Sequence, residues 1–249
     1  MGIFLNFAAV REAFMATYVI SDIHGMYDKF IGLLDKIGFG DDDTLYILGD
    51  VLDRGPDPIK TLYKIYEMPN AVFMIGNHEL MAYDCLKLMM KEITDEALDG
   101  IDPEMYGQLS NWLIYNGGET TLKEFRALDT DSRQDVIEMI GDGDIYEELT
   151  VNGQKYLLVH AGLGNFEPDK DMEDYSLKEL LWDRADYDTR YFEDVCVVTG
   201  HTPTQLIEDC PNPGYIFKKN NHIAIDCGAY HPTGRLAAIC LDTQEEFYY

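Results

Sequence analysis

Five short apolar runs in this sequence are each followed at once by side chains able to bind a metal ion or a phosphate. Asp22 and His24 follow Ile20, and Asp50, Asp53 and Arg54 follow Leu48. Asn77, His78 and Glu79 follow Ile75, His160 follows Val159, and His201 follows Thr199. Four of the six histidines sit at these run ends, which a random surface scatter would not produce. Carboxylate and amide oxygens mixed with imidazole nitrogens, and no thiolate, suit Mn²⁺, Fe or Zn²⁺ better than Ca²⁺, which takes oxygen alone. The donors are too many for one ion, whereas two ions sharing a carboxylate would use them all.

Single residues carry little of this. Asp22 alone could cap a turn, His160 alone reads as a satisfied core histidine, and Arg54 or Arg184 alone as a surface ion-pair partner worth roughly 0–1 kcal/mol. Their joint placement carries the argument, because ligands of open α/β sheets bind beyond the carboxyl ends of strands.

The elements needed to place them are legible. Thr17 to Ile20, Thr44 to Leu48 and Ala71 to Ile75 read as strands. Between the first two, Phe30, Leu33, Leu34 and Ile37 share one helical face that Gly38 ends. Asp57 with Pro58 reads as a helix N-cap and first turn, and a long helix starts near Glu79. This βαβαβ order predicts parallel strands covered by helices. The segment from 80 to 140 reads as helical, a possible cap, broken at Gly117-Gly118. The remainder is strand-rich, with a helix at about Ser176 to Leu181. The expected architecture is α/β, two packed mixed sheets flanked by helices, forming one domain over 15–249 after an extension of residues 1–14; Met15, just before the first strand, is by position a better start than Met1.

Composition excludes several classes. A formal charge of −27 opposes nucleic-acid and anionic-membrane binding. No apolar run approaches the roughly 20 residues of a membrane-spanning helix. Five scattered cysteines without a CxxC pair point to reduced thiols and a cytoplasmic setting. The acidic runs at 41–43, 171–174 and 245–246 read as solvated faces. His222 and His231 read as surface or structural, Asp226 with Gly228 as a turn or support for the site, and Cys227 as a small buried residue. The stripe Met81, Leu86, Met89, Met90 and Ile93 reads as helix core.

The strings SDIHG, GDVLDRG and GNHE, followed by HAG (160–162), WDR (182–184) and GHTP (200–203), resemble the calcineurin-like metallophosphoesterases. More narrowly they are similar to the bacterial and phage branch of the PPP-type phosphatases, as is NGG (116–118) with Thr120-Thr121-Leu122. The resemblance spans residues 21 to 203 and implies an αββα sandwich and two divalent metal ions, manganese first, iron or zinc next. It implies that Asp22, His24 and Asp50 hold one ion, and that Asp50, Asn77, His160 and His201 hold the other. It implies His78 as general acid oriented by Asp53, with Arg54 and Arg184 on the phosphate and a hydroxide between the ions as nucleophile. Ser21 departs from the usual glycine. The implied substrate is a phosphorylated protein or small phosphate ester, phosphoserine and phosphothreonine first. A bis(5'-nucleosyl)-tetraphosphatase (Ap4A hydrolase) is the alternative, and a catalytically silent metal- or phosphoprotein-binding module the third reading.

Overall fold

The computed structural model describes residues 15–90 and 103–249. The expected N-terminal extension, the stretch 91–102 of the expected cap, and Ile93 lie outside the described residues. Strand β1 (Thr17–Ile20) leads into helix α1 (Tyr27–Ile37), β2 (Thr44–Leu48), α2 (Pro58–Tyr66), β3 (Ala71–Met74) and α3 (Asn77–Met89). Helix α4 (Pro103–Ser110) runs into a π-helical turn (Asn111–Tyr115), then α5 (Glu119–Ala127) and α6 (Thr130–Gly141). The second half contains β4 (Tyr146–Val151), β5 (Gln154–Val159), α7 (Leu177–Leu181), β6 (Val195–Thr199), β7 (Phe217–Lys219), β8 (His222–Ala224), β9 (Ala237–Cys240) and β10 (Glu246–Tyr248).

Two five-stranded mixed sheets result, in the orders β10-β9-β1-β2-β3 and β4-β5-β6-β8-β7. The strands β1, β2 and β3 are parallel, as the βαβαβ order requires, with β9 antiparallel to β1. In the other sheet β5, β6 and β8 are parallel. The period-2 alternation of each strand divides the core in two. Val19, Leu48, Met74, Leu158, Val198 and Ile239 form one buried cluster drawn from both sheets. Their neighbours Tyr18, Ile20, Ile47, Leu157 and Val197 instead join Phe30, Leu33 and Leu62 of the helices. Each fully buried Leu or Ile contributes roughly 1.5–3 kcal/mol.

Local expectations hold in part. Gly38 ends α1 in the left-handed region at φ 63°. Asp57 precedes Pro58 as expected, but its side chain makes no cap bond. Glu124 of α5 accepts from Ile59 N at 2.7 Å instead, so a tertiary partner does the capping. Asp43 is not a solvated acid: it is buried and accepts from Ala16 N and Gly40 N, tying β1 to the turn before β2. The edge strand β10 has no local signature, because Glu246-Phe247-Tyr248 has no long apolar run and gains its order by pairing with β9. Leu86 is buried and Met81, Met89 and Met90 pack partly buried against the core. All five cysteines are free and buried. No helix among the described residues is long and apolar enough to cross a membrane.

His231 is exposed, whereas His222 is buried, with Nε2 2.9 Å from Thr199 Oγ1 and no partner for Nδ1. Burial holds its pKa down at about 3. Unfolding frees it to bind a proton, so its contribution to stability is complete above pH 6.5, the free-histidine value, and is lost as pH falls toward 3. Acid titration of stability should therefore show a loss of roughly 2–3 kcal/mol from this residue between pH 6.5 and 4.5. Denaturant unfolding of His222→Gln should lack that component; an identical pH slope in the variant would exclude it.

Candidate metal centre

The carboxyl ends of β1, β2, β3, β5 and β6 open onto one rim where the two sheets meet. Asp22, His24, Asp50, Asp53, Arg54, His160 and His201 sit on the turns that leave their strands, and Asn77 and His78 open α3. Asp22, His24, Asp50, Asp53, Arg54 and His201 all hold left-handed backbones, with φ between 48° and 69°. Such conformations cost on the order of 1–3 kcal/mol per residue and persist only where surrounding bonds over-determine them.

Around Asp50, Glu79 supplies such bonds. Completely buried on the first turn of α3, it accepts from Asp50 N and Gly76 N through Oε2, at 2.7 and 2.8 Å. Its Oε1 accepts from Val51 N and Leu52 N, both at 2.9 Å. One carboxylate therefore satisfies four backbone donors of the loops after β2 and β3 and aims Asp50 inward. Gly76 is required beside it, since a Cβ there would lie 2.2 Å from Asp50 Oδ1.

Asp50 is the centre of the arrangement. Its Oδ2 lies 3.6 Å from His24 Nε2 and its Oδ1 3.4 Å from His160 Nε2. Ligand atoms of His24, Asp50 and His78 fall within 4.8 Å of one another, as do those of Asp50, His160 and His201, so two donor groups share Asp50. Asn77 Oδ1 joins the second group, 3.1 Å from His160 Nε2 and 2.9 Å from His201 Nδ1. Asp22 stands behind it: its carboxylate accepts from His201 N at 2.9 Å and from the Ser21 hydroxyl. Ser21 thus bonds the neighbouring acid.

The electrostatics suit cations. Burial, reinforced by His78 and Arg54, holds His24 well below its ordinary pKa, and burial lowers His201 to about 3. Both imidazoles are therefore neutral, as ligands must be. His24 and His160 turn Nδ1 to the carbonyls of Leu52 and Leu48, at 2.9 and 2.6 Å, which leaves Nε2 facing Asp50. Burial, with Asp22 and Glu79 nearby, pushes Asp50 well above the usual carboxylate range despite His78. The donor set of carboxylate, amide oxygen and imidazole nitrogen fits divalent ions of the Mn, Fe or Zn type.

A second network adjoins it. Asp53, completely buried, accepts from His78 Nδ1 at 2.7 Å, Trp112 Nε1 at 2.9 Å and Thr121 Oγ1 at 2.6 Å. Burial lowers the pKa of His78, but Asp50 and the Asp53 hydrogen bond more than offset it, and the net shift is upward. Arg54 donates to His24 Nε2 at 2.8 Å and to His78 Nε2 at 3.0 Å. Arg184 is exposed at the rim, lining a cavity of about 260 Å³ with Asp186, Asp188, Thr202, Asp209 and Lys219. Asp226 bonds its own turn, accepting from Gly228 N at 2.8 Å.

The structural parts of Glu79, Trp112, Thr121 and Tyr230 were not assigned from sequence. Glu79 and Thr121 lie inside recognised strings, but their bonds reach chain 27 to 68 residues away. Nothing local marks Trp112 or Tyr230.

Residues 15–232 match the family profile of the calcineurin-like phosphoesterases. The symmetrical bis(5'-nucleosyl)-tetraphosphatase of Nitrosomonas europaea is 46 % identical over 151 residues, covering 60 % of this chain and 45 % of that protein. The same-named protein of Wigglesworthia glossinidia brevipalpis is 41 % identical over 104 residues, 40 % of this chain and 38 % of its own. The chain thus matches less than half the length of these curated relatives. Among solved structures, a protein serine/threonine phosphatase from Saccharomyces cerevisiae superposes with a TM-score of 0.57 at 15 % identity, over 94 % of this chain and 79 % of its own. That likeness is one of fold.

Proposed function

This chain belongs to the calcineurin-like phosphoesterases, and from that premise we propose that it hydrolyses phosphate monoesters with two bound divalent metal ions. The observation that carries the reading is the pair of donor groups sharing Asp50, with His78 of the first group hydrogen-bonded through Nδ1 to the buried Asp53. Asp22, His24 and Asp50 would hold one ion, and Asp50, Asn77, His160 and His201 the other, with manganese the first choice. Such ions supply a lowered pKa for coordinated water and neutralise phosphoryl charge.

The chain's own residues do the rest. Arg54 and Arg184 bind phosphoryl oxygens and offset the charge that grows on them. Asp53 holds His78 by Nδ1–H, so that Nε2 is the atom that gives a proton to the departing alkoxide. Arg54 now donates to that same Nε2, so a proton there and the Arg54 contact are alternatives. Drawing Arg54 onto a phosphate frees His78 to act as an acid.

Phosphoserine and phosphothreonine in proteins are the proposed substrates. The rim beside Arg184 carries Asp186, Asp188, Glu208 and Asp209, with Lys219 already bridged to Asp188 and Asp209. That field, on a chain of charge −27, opposes a polyanionic dinucleoside polyphosphate more than a monoester on a peptide. The second reading, a bis(5'-nucleosyl)-tetraphosphatase, is favoured by the identity with the Nitrosomonas europaea protein. Phosphate release from a phosphopeptide and cleavage of Ap4A should be compared with Mn²⁺ and with chelator. Mn²⁺-dependent release from the peptide is expected; cleavage of Ap4A alone would select the second reading. Tight Mn²⁺ binding with neither activity would leave a silent binding module.

A further inference from the structure

Arg54 is held in an unusual way for a phosphate-binding arginine. Among the described residues it forms no ion pair. Its guanidinium rests on two imidazole nitrogens and on the face of Tyr230, whose ring centroid lies 4.4 Å from Cζ. Under the proposed function both nitrogens have other work, one toward a metal ion and one toward the leaving oxygen. The Tyr230 face is then the contact that catalysis does not claim.

The turn carrying Tyr230 is itself fastened. Lys29, half-buried on α1, donates from Nζ to Ala229 O at 2.7 Å and to Gly234 O at 3.0 Å, the carbonyls bracketing residues 230–233. Inside the turn His231 N donates to Gly228 O and Gly234 N to His231 O, both at 2.9 Å. Gly228 holds φ 72°, and a Cβ on Gly234 would fall 1.7 Å from Gly228 O, so the two ends close on each other. The Tyr230 ring also meets the His24 ring edge-on, at 5.3 Å and 82°.

We propose that Lys29 and the 228–234 turn form a latch that seats the Tyr230 ring against Arg54, making Tyr230 and Lys29 positioning residues for phosphate binding. The latch keeps the guanidinium within reach of the phosphate without neutralising it, which a carboxylate partner would do. A cation over an aromatic face is attracted by the ring quadrupole and keeps its charge. The proposal rests on the reading of Arg54 as a phosphate ligand, and its test is chosen so that the two can fail separately.

Inorganic phosphate binding to the Mn²⁺-loaded full chain should be measured by calorimetry beside KM and kcat on p-nitrophenyl phosphate. Tyr230→Leu is expected to weaken phosphate binding and raise KM about three- to thirtyfold, with kcat changed less than threefold and Mn²⁺ affinity unchanged. Tyr230→Phe keeps the ring face and should restore phosphate affinity. Lys29→Met should shift KM and phosphate affinity in the same direction as Tyr230→Leu, and Lys29→Arg should rescue it; this pair carries the test if Tyr230→Leu fails to fold. Phosphate affinity within twofold of wild type in Tyr230→Leu or Lys29→Met overturns the latch, as does a Tyr230→Phe loss equal to that of Tyr230→Leu. If no ester is hydrolysed but the variants still weaken phosphate binding, the latch stands and the proposed activity falls.

Discussion

Replacing Asp50 by asparagine is expected to lower kcat by at least about 10³-fold, on the order of 4 kcal/mol of transition-state stabilisation, and to leave the protein binding fewer than two Mn²⁺ ions. The physical reason is that one carboxylate faces both donor groups, through Oδ2 toward His24 and Oδ1 toward His160. Asparagine matches its shape and can still accept from His78 N, which Asp50 Oδ1 does at 3.1 Å. Loss of function would therefore report the missing charge and ligand, and not a collapsed loop. The variant also removes a carboxylate whose burial is costly without cations, so its metal-free form should be at least as stable as that of the wild type. Calorimetric Mn²⁺ titration gives the stoichiometry, and phosphate release gives kcat. Two ions bound at wild-type affinity would remove Asp50 from the centre of the site.

The second large effect is expected at His78. His78→Asn should reduce kcat on an alkyl phosphate monoester by about 10²–10⁴-fold, the range for loss of a positioned general acid. On p-nitrophenyl phosphate, whose leaving group departs without a proton, the loss should be at most about tenfold by the same reasoning. The asparagine amide can donate to Asp53, which also retains Trp112 and Thr121 as donors, so the buried acid is not orphaned. Asp53→Asn should show the same leaving-group pattern at smaller amplitude, because it removes the orientation of Nδ1 and leaves the imidazole in place. Equal losses on both esters would assign His78 to metal or phosphate binding instead, a role its place in the first donor group would also permit.

These residues were readable before any fold was known because each lies one to six positions after an apolar run. Strand followed by tight turn is a local pattern, and SDIHG, GDVLDRG and GNHE carry it in consecutive letters. The partners that hold them are not local. Trp112 and Thr121 reach Asp53 from 59 and 68 residues away, and Lys29 reaches the Tyr230 turn across 200. The sharp bends fall largely on the functional residues themselves: beside Gly25 and Gly49, Asp22, His24, Asp50, Asp53, Arg54 and His201 occupy the left-handed region. Bonds from other elements, such as Glu79 to Asp50 N and Gly117 O to Arg54 N, make this tolerable. The string GNHE announces the residue but not the four amides it binds.

Taken by itself, the amino-acid order determined the strand–turn–helix succession, the parallel pairing of β1, β2 and β3, and which side-chain types would stand at the strand ends. Period-2 burial and turn chemistry are properties of neighbouring residues, so they are visible in one dimension. The tertiary structure decided which carboxylate faces both donor groups, how Asp53 is satisfied, why Arg54 rests on Tyr230, and that Asp43 and His222 are buried. Those outcomes depend on where two sheets and their loops come to rest against each other, and desolvation and hydrogen-bond geometry at that junction exist only once the chain has folded.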